Sequence, residues 1–130
     1  MYRPVRWALL PALVLGCLAA RPASAAVRQD EGKFFSSDAV ERANKRIAEM
    51  KEKTGVDLVV ETFKEIPEDI KPDYNPARRR QFFAKWAEDR VTALGTHGIY
   101  ILLCRNPGSF QVEVSRDVER KGLFTPTNKD

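Results

Sequence analysis

HGIYILLCRNPGSFQVEVS, residues 97–115, holds two strands and the turn that joins them. Gly98 to Cys104 is the most hydrophobic run after the first twenty-five residues, and the best candidate for a central strand. Asn106-Pro107-Gly108 is turn chemistry. Beyond it, Phe110, Val112 and Val114 alternate with Gln111, Glu113 and Ser115. That period of two describes a strand with one wet face. A link as short as Arg105–Ser109 can only return the second strand beside the first, so the pair is an antiparallel hairpin.

Upstream, Asn75-Pro76 opens a helix, with Asn as cap and Pro at the first helical position. The helix is predicted over 76–94, with Phe83, Trp86, Ala87, Val91 and Leu94 as its buried stripe and Phe82 at the edge. Arg78-Arg79-Arg80 puts a basic cluster in its first turn, opposite to what the helix dipole favours, and reads as a solvated face. Before it lies a polar loop, 64–74, with Pro67 and Pro72. Val56–Phe63 reads as a further strand, since Leu58-Val59-Val60 is continuous and Thr62 and Phe63 favour extended backbone.

A first helix starts near Asp38. Asp38 and Glu41 have capping-box spacing, and Ser36 or Ser37 is an alternative cap. Val40, Ala43, Ile47 and Met50 share one face, and Gly55 suits the left-handed closing position. The order helix, strand, helix, strand, strand predicts an α/β domain, a three-layer sandwich with a small mixed sheet flanked by helices. Ile47, Leu58, Val60, Phe83, Trp86, Leu102 and Val112 are its expected core.

The N-terminus has the parts of a secretory signal peptide, residues 1–25. Arg3 and Arg6 form a positive start, and Trp7–Ala20 is apolar. Ala23-Ser24-Ala25 is a small-residue cleavage site. Those apolar residues rise only about 21 Å as a helix, against roughly 30 Å of bilayer hydrocarbon, too little for a comfortable span. Val14-Leu15-Gly16-Cys17 loosely resembles a lipobox, and lipidation of Cys17 is the alternative processing route.

Cleavage alters the charge. The leader carries three of the 22 basic residues and none of the 18 acids, which leaves 19 against 18. A near-neutral mature chain offers no electrostatic footprint for nucleic acid. Only Cys104 remains after the leader, so neither an internal disulfide nor CxxC redox chemistry is available to the processed chain. Residues 26–33 read as a linker, 34–122 as the domain and 123–130 as a polar tail. Thr125-Pro126-Thr127 looks like the opening of a helix, so C-terminal helices are expected to be missing.

Asp30-Glu31-Gly32-Lys33-Phe34-Phe35-Ser36, IAEMKEKTGVDLVVET, FFAKWAEDR and the 97–115 stretch together resemble the TPM domain, also called a TPM phosphatase domain. This family occurs in exported bacterial proteins and chloroplast lumenal proteins. The resemblance runs from Val27 to Gly122. It implies an α/β sandwich outside the cytoplasm, and for some members calcium binding or weak phosphatase activity. Asp30, with Glu31, matches the family's N-terminal acid position and is the candidate ligand for Ca2+, a cation that takes six to eight oxygens. Two positions depart from the family. Its Asp-Asn-Gly is here Thr96-His97-Gly98, and its Val-Gly-x-Gly is here Val114-Ser115-Arg116-Asp117.

The other chemistry-bearing residues have ordinary readings beside the functional ones. His97, the single histidine, sits at a strand entrance and reads as a surface-loop residue. Glu65, Glu68, Asp69 and Asp73 form an acidic loop, and Asp117 follows the hairpin; none has EF-hand spacing. Cys104 reads as a small core residue, and Ser36 and Ser37 as caps. The sequence therefore predicts a non-catalytic interaction module for a protein partner of the cell envelope, braced by calcium. Its alternative is a weak metal-dependent phosphomonoesterase. Membrane contact is expected only through the export signal or a lipid on Cys17. N-terminal mass spectrometry of the exported fraction should find a mature chain starting at Ala26. A chain starting at Met1 refutes export, and one starting at a lipidated Cys17 moves processing to the lipoprotein route.

Overall fold

The computed structural model describes residues 26–122. Residues 1–25, on which the expected signal peptide and Cys17 fall, and residues 123–130 lie outside the described residues. The elements are β1 (Ala26–Asp30), α1 (Ser37–Thr54), β2 (Asp57–Glu65), α2 (Arg79–Leu94), β3 (Gly98–Asn106), β4 (Ser109–Val114) and α3 (Arg116–Arg120). The strands form one mixed sheet in the order β1-β2-β3-β4. The first three are parallel, and β4 is antiparallel to β3. The α/β sandwich expected from the sequence is the fold.

Local signals set the helix ends. Ser36 is the cap of α1, its Oγ accepting from the Ala39 N–H at 3.3 Å, and Gly55 closes the helix in the left-handed region. Asn75 caps as expected, accepting from the Ala77 N–H at 2.9 Å. The helix after it does not start at Pro76, however. A 3₁₀ turn over Pro76–Arg78 comes first, and α2 begins at Arg79. Tighter turns at a helix start are a common way to satisfy its first backbone groups.

The core lies between α2 and one face of the sheet. Val59 and Phe63 of β2, Tyr100, Leu102 and Cys104 of β3, and Phe83, Trp86 and Ala87 of α2 form one buried cluster. Register explains the match, because Val59 pairs with Tyr100, Glu61 with Leu102 and Phe63 with Cys104, so alternate residues share a face. The loop after β1 crosses the opposite face, where Thr62 and Arg105 meet it. From there α1 runs along β1 and β2.

Three readings need correction. Residues 26–33 are not all linker, since 26–30 form β1, in parallel register with Val59–Thr62. Backbone pairing to an open edge of β2 overrides the weak strand propensity of AVRQD. Of the expected core, Ile47, Phe83, Trp86 and Leu102 are buried, whereas Leu58, Val60 and Val112 are half-buried. These three lie on the face away from the aromatic cluster, and Val112 is also on an edge strand.

The wet face assigned to the hairpin is the third. Gln111 and Glu113 pair with Leu102 and Tyr100, which places them on the α2 side and half-buried. The apolar Phe110, Val112 and Val114 point the other way. The connection is also shorter than expected: β3 ends at Asn106, β4 begins at Ser109, and the Asn106–Pro107 peptide is cis.

Gly98 is fixed by packing. A Cβ there would overlap the backbone of Asp57 on the neighbouring strand. Backbone crowding of this kind cannot relax by rotating a side chain. Gly98→Ala is therefore expected to lower unfolding stability by about 2 kcal/mol or more. Gly108→Ala, whose Cβ would make only ordinary contact 3.7 Å from the Arg105 carbonyl, should stay close to wild type. Urea unfolding of both variants checks the contrast.

Candidate functional site

Asp30 ends β1, and its carboxylate faces hydrogen-bond donors. Thr62 Oγ1 donates to Oδ1 at 2.7 Å, the Phe34 N–H to Oδ1 at 2.9 Å and the Phe35 N–H to Oδ2 at 3.3 Å. The Gly32 N–H in turn donates to Thr62 Oγ1 at 3.0 Å. Burial opposes ionisation of Asp30, but the bonds from Thr62, Phe34 and Phe35, with the Arg105 charge behind them, hold its carboxyl below the usual range.

Arg105 completes this end of the sheet. Its Nε donates to the Gly32 carbonyl at 2.9 Å and its Nη2 to that of Lys33 at 2.8 Å, and the guanidinium lies 4.6 Å from the Phe34 ring centre. Calcium needs several free oxygens. Here the Asp30 oxygens accept from protein donors, two neighbouring carbonyls accept from Arg105, and a fixed positive charge stands beside them. As arranged, these residues do not fit calcium: the oxygens that would ligate it already accept hydrogen bonds from the protein.

The remaining candidates do not converge on Asp30. His97 precedes β3 and is exposed, whereas Asp30 ends the parallel strand β1, so the two lie at opposite ends of the sheet. Asp117, in the first turn of α3, is close enough to His97 to interact electrostatically. In the acidic loop, Lys71 Nζ lies 2.6 Å from Glu68 and 3.9 Å from Glu65. Asp69 and Asp73 line a groove instead. Among the described residues, no three His, Cys, Asp or Glu side chains gather in a metal-binding group. Cys104 is buried, and burial pushes its thiol upward, away from the reactive thiolate.

Two features escaped the sequence reading. The first is a charged network in the core. Glu61, only 2% exposed, accepts two hydrogen bonds from Arg90 of α2, at 2.8 and 2.7 Å, and one from the Tyr100 hydroxyl at 2.8 Å. Its signal was present: a lone acid inside LVVETF, and an arginine on the same helical stripe as Phe83, Trp86 and Ala87. Its hydrogen bonds to Glu61 hold Arg90 firmly protonated, while burial, then the Glu61 carboxylate, push the Tyr100 phenol far upward.

The second is an open groove of about 910 Å³ between α2 and the loop that follows β2. Tyr74, Phe82 and Trp86 line it, Tyr74 and Phe82 meeting edge-on with ring centres 5.3 Å apart. Pro67, Pro72 and Pro76 stiffen the opposite wall. Arg78, Lys85, Asp73 and Asp89 stand among the lining residues, and Lys85 is paired with Asp89 at 3.0 Å. No serine, threonine, cysteine or histidine is among the lining residues. Arg90 lines the groove as well, which joins its wall to the buried network. No protein-family model, curated protein or solved structure matches this chain.

Removing one side of the network leaves a buried charge unpaired. Arg90→Met is expected to cost about 3–5 kcal/mol, and the double variant Glu61→Met with Arg90→Met much less. The raised Tyr100 phenol contributes stability that is complete below about pH 10 and declines as pH rises beyond it. Tyr100→Phe should flatten that alkaline decline. Denaturation across pH for the wild type and these variants measures both effects.

Proposed function

We propose that this chain is an exported, TPM-like α/β module that binds a protein segment in the α2 groove and does not turn over a phosphate ester. The observation that carries the reading is the composition of the groove. Its aromatic and proline surfaces are stiff, so binding orders little that is not already ordered. Its rim carries both charge signs, and its lining holds no serine, threonine, cysteine or histidine. An extended segment with apolar side chains flanked by mixed charges is the chemistry that fits.

Export supports an envelope partner, since a processed chain of near-neutral charge meets proteins outside the cytoplasm. No helix among the described residues is long and apolar enough to cross a membrane. Membrane contact would then fall to the leader or to a lipid on Cys17. Arg105 braces the loop at Asp30, which supports a module whose shape does not depend on calcium.

A photo-reactive side chain at exposed Asp69, in the groove wall, should capture an envelope protein in cells. Lys85→Glu on the rim should abolish capture with melting unchanged. In parallel, p-nitrophenyl phosphate hydrolysis should stay at background with or without calcium, and calcium should not raise the melting temperature. Metal-dependent turnover lost in Asp30→Ala would overturn the reading.

A further inference from the structure

β4 is an edge of the sheet, and among the described residues nothing pairs with its outer side. The Ser115 N–H donates to the Gly98 carbonyl at 2.8 Å. Hydrogen bonds alternate along an antiparallel pair, so Gln111 and Glu113 direct their backbone groups to β3. Phe110, Val112 and Val114 direct theirs outward. Edge strands are commonly blunted by lysine, proline or a bulge. SFQVEV has neither residue, and its register with β3 is unbroken. The other edge, β1, is irregular between Val27 and Gln29. Phe110, 59% exposed, is the most exposed of the large apolar side chains described.

We propose that β4 pairs with β4 of a second copy of this chain, antiparallel about a twofold axis through Val112, to make one continuous sheet. The sequence is self-complementary in that register. Val112 faces Val112 of the other copy, and each Phe110 ring lies against the other copy's Val114, a favourable cross-strand pair. Every outward N–H and C=O of Phe110, Val112 and Val114 then finds a partner. Shifting the axis to Glu113 sets two carboxylates opposite each other, and shifting it to Gln111 pushes Val114 against the turn at Gly108.

Charge favours the same register. Gln111, whose Nε2 donates to Glu113 of its own strand at 3.2 Å, also lies opposite Glu113 of the second copy, and Arg80, Gln81 and Ala84 of α2 line a notch with Gln111. The exposed Arg80 guanidinium therefore flanks the position that the other copy's Glu113 takes. This gives a role to one member of the basic cluster that the groove does not use. An isologous contact of this kind closes as a dimer and leaves no further edge of the same type. It is independent of the groove, and its failure would leave groove binding standing.

Sedimentation velocity of the purified chain tests the contact over a range of concentrations. A reversible monomer–dimer equilibrium is expected. Glu113→Arg, which opposes Arg80 with a like charge, should weaken association at least about tenfold. Adding Arg80→Glu to it should restore association, and Val112→Pro, which removes an outward donor, should abolish it. Thermal melting followed by circular dichroism verifies that each variant is folded. A monomer throughout the range overturns the proposal, as does a dimer indifferent to Glu113→Arg. So does an edge occupied by a strand of a different protein.

Discussion

A carboxylate buried in the middle of a parallel sheet must be paired, and Glu61 places that demand at the centre of this fold. Its oxygens are met from α2 through Arg90 and from β3 through Tyr100. A hydrophobic contact tolerates sliding, but a bidentate guanidinium does not. The pairing therefore fixes how far along the sheet α2 can sit and which register of β3 is usable. Phe63, Phe83 and Trp86 then pack in the space that this anchor defines, with ring centres 4.7 Å apart for Phe63 and Trp86. Because Arg90 also borders the groove, the interior electrostatics and the binding surface share one residue.

The opposite face uses the same chemistry differently. Asp30 and Arg105 do not form a tight pair. Each instead organises backbone, the carboxylate collecting N–H groups and the guanidinium collecting carbonyls. Together they satisfy both signs of the polar groups in the loop after β1. Asp30, the candidate cation ligand, thus also serves as one half of a loop clamp. Its partner, 73 residues away from Gly32 in sequence, could not be associated with it by spacing.

What the sequence revealed follows the range of the forces involved. The hairpin was legible because alternation and Asn-Pro-Gly are local. Ser36, Gly55 and Asn75 announced helix ends through bonds within a few residues of themselves. β1 was illegible, since AVRQD becomes a strand only through pairing with residues about thirty positions on. The direction of the β4 faces was lost for a similar reason: alternation tells that two faces differ, and only the sheet tells which one meets a helix. The groove is assembled from a proline-rich loop and one side of α2, neither of which signals it alone.

The clamp between Arg105 and the Gly32–Lys33 carbonyls bears on the order in which the chain can fold. A polypeptide emerging N-terminus first presents β1 and its loop long before Arg105 appears. β1 can already be held by β2 and by Asn44 of α1, which accepts from the Val27 N–H at 2.7 Å, but the loop carbonyls stay hydrated until the end of β3 arrives. Long-range closure of this kind slows folding, because chain entropy is lost before the contact forms. The loop that follows the first strand is therefore among the last parts to be locked, although it is among the first made.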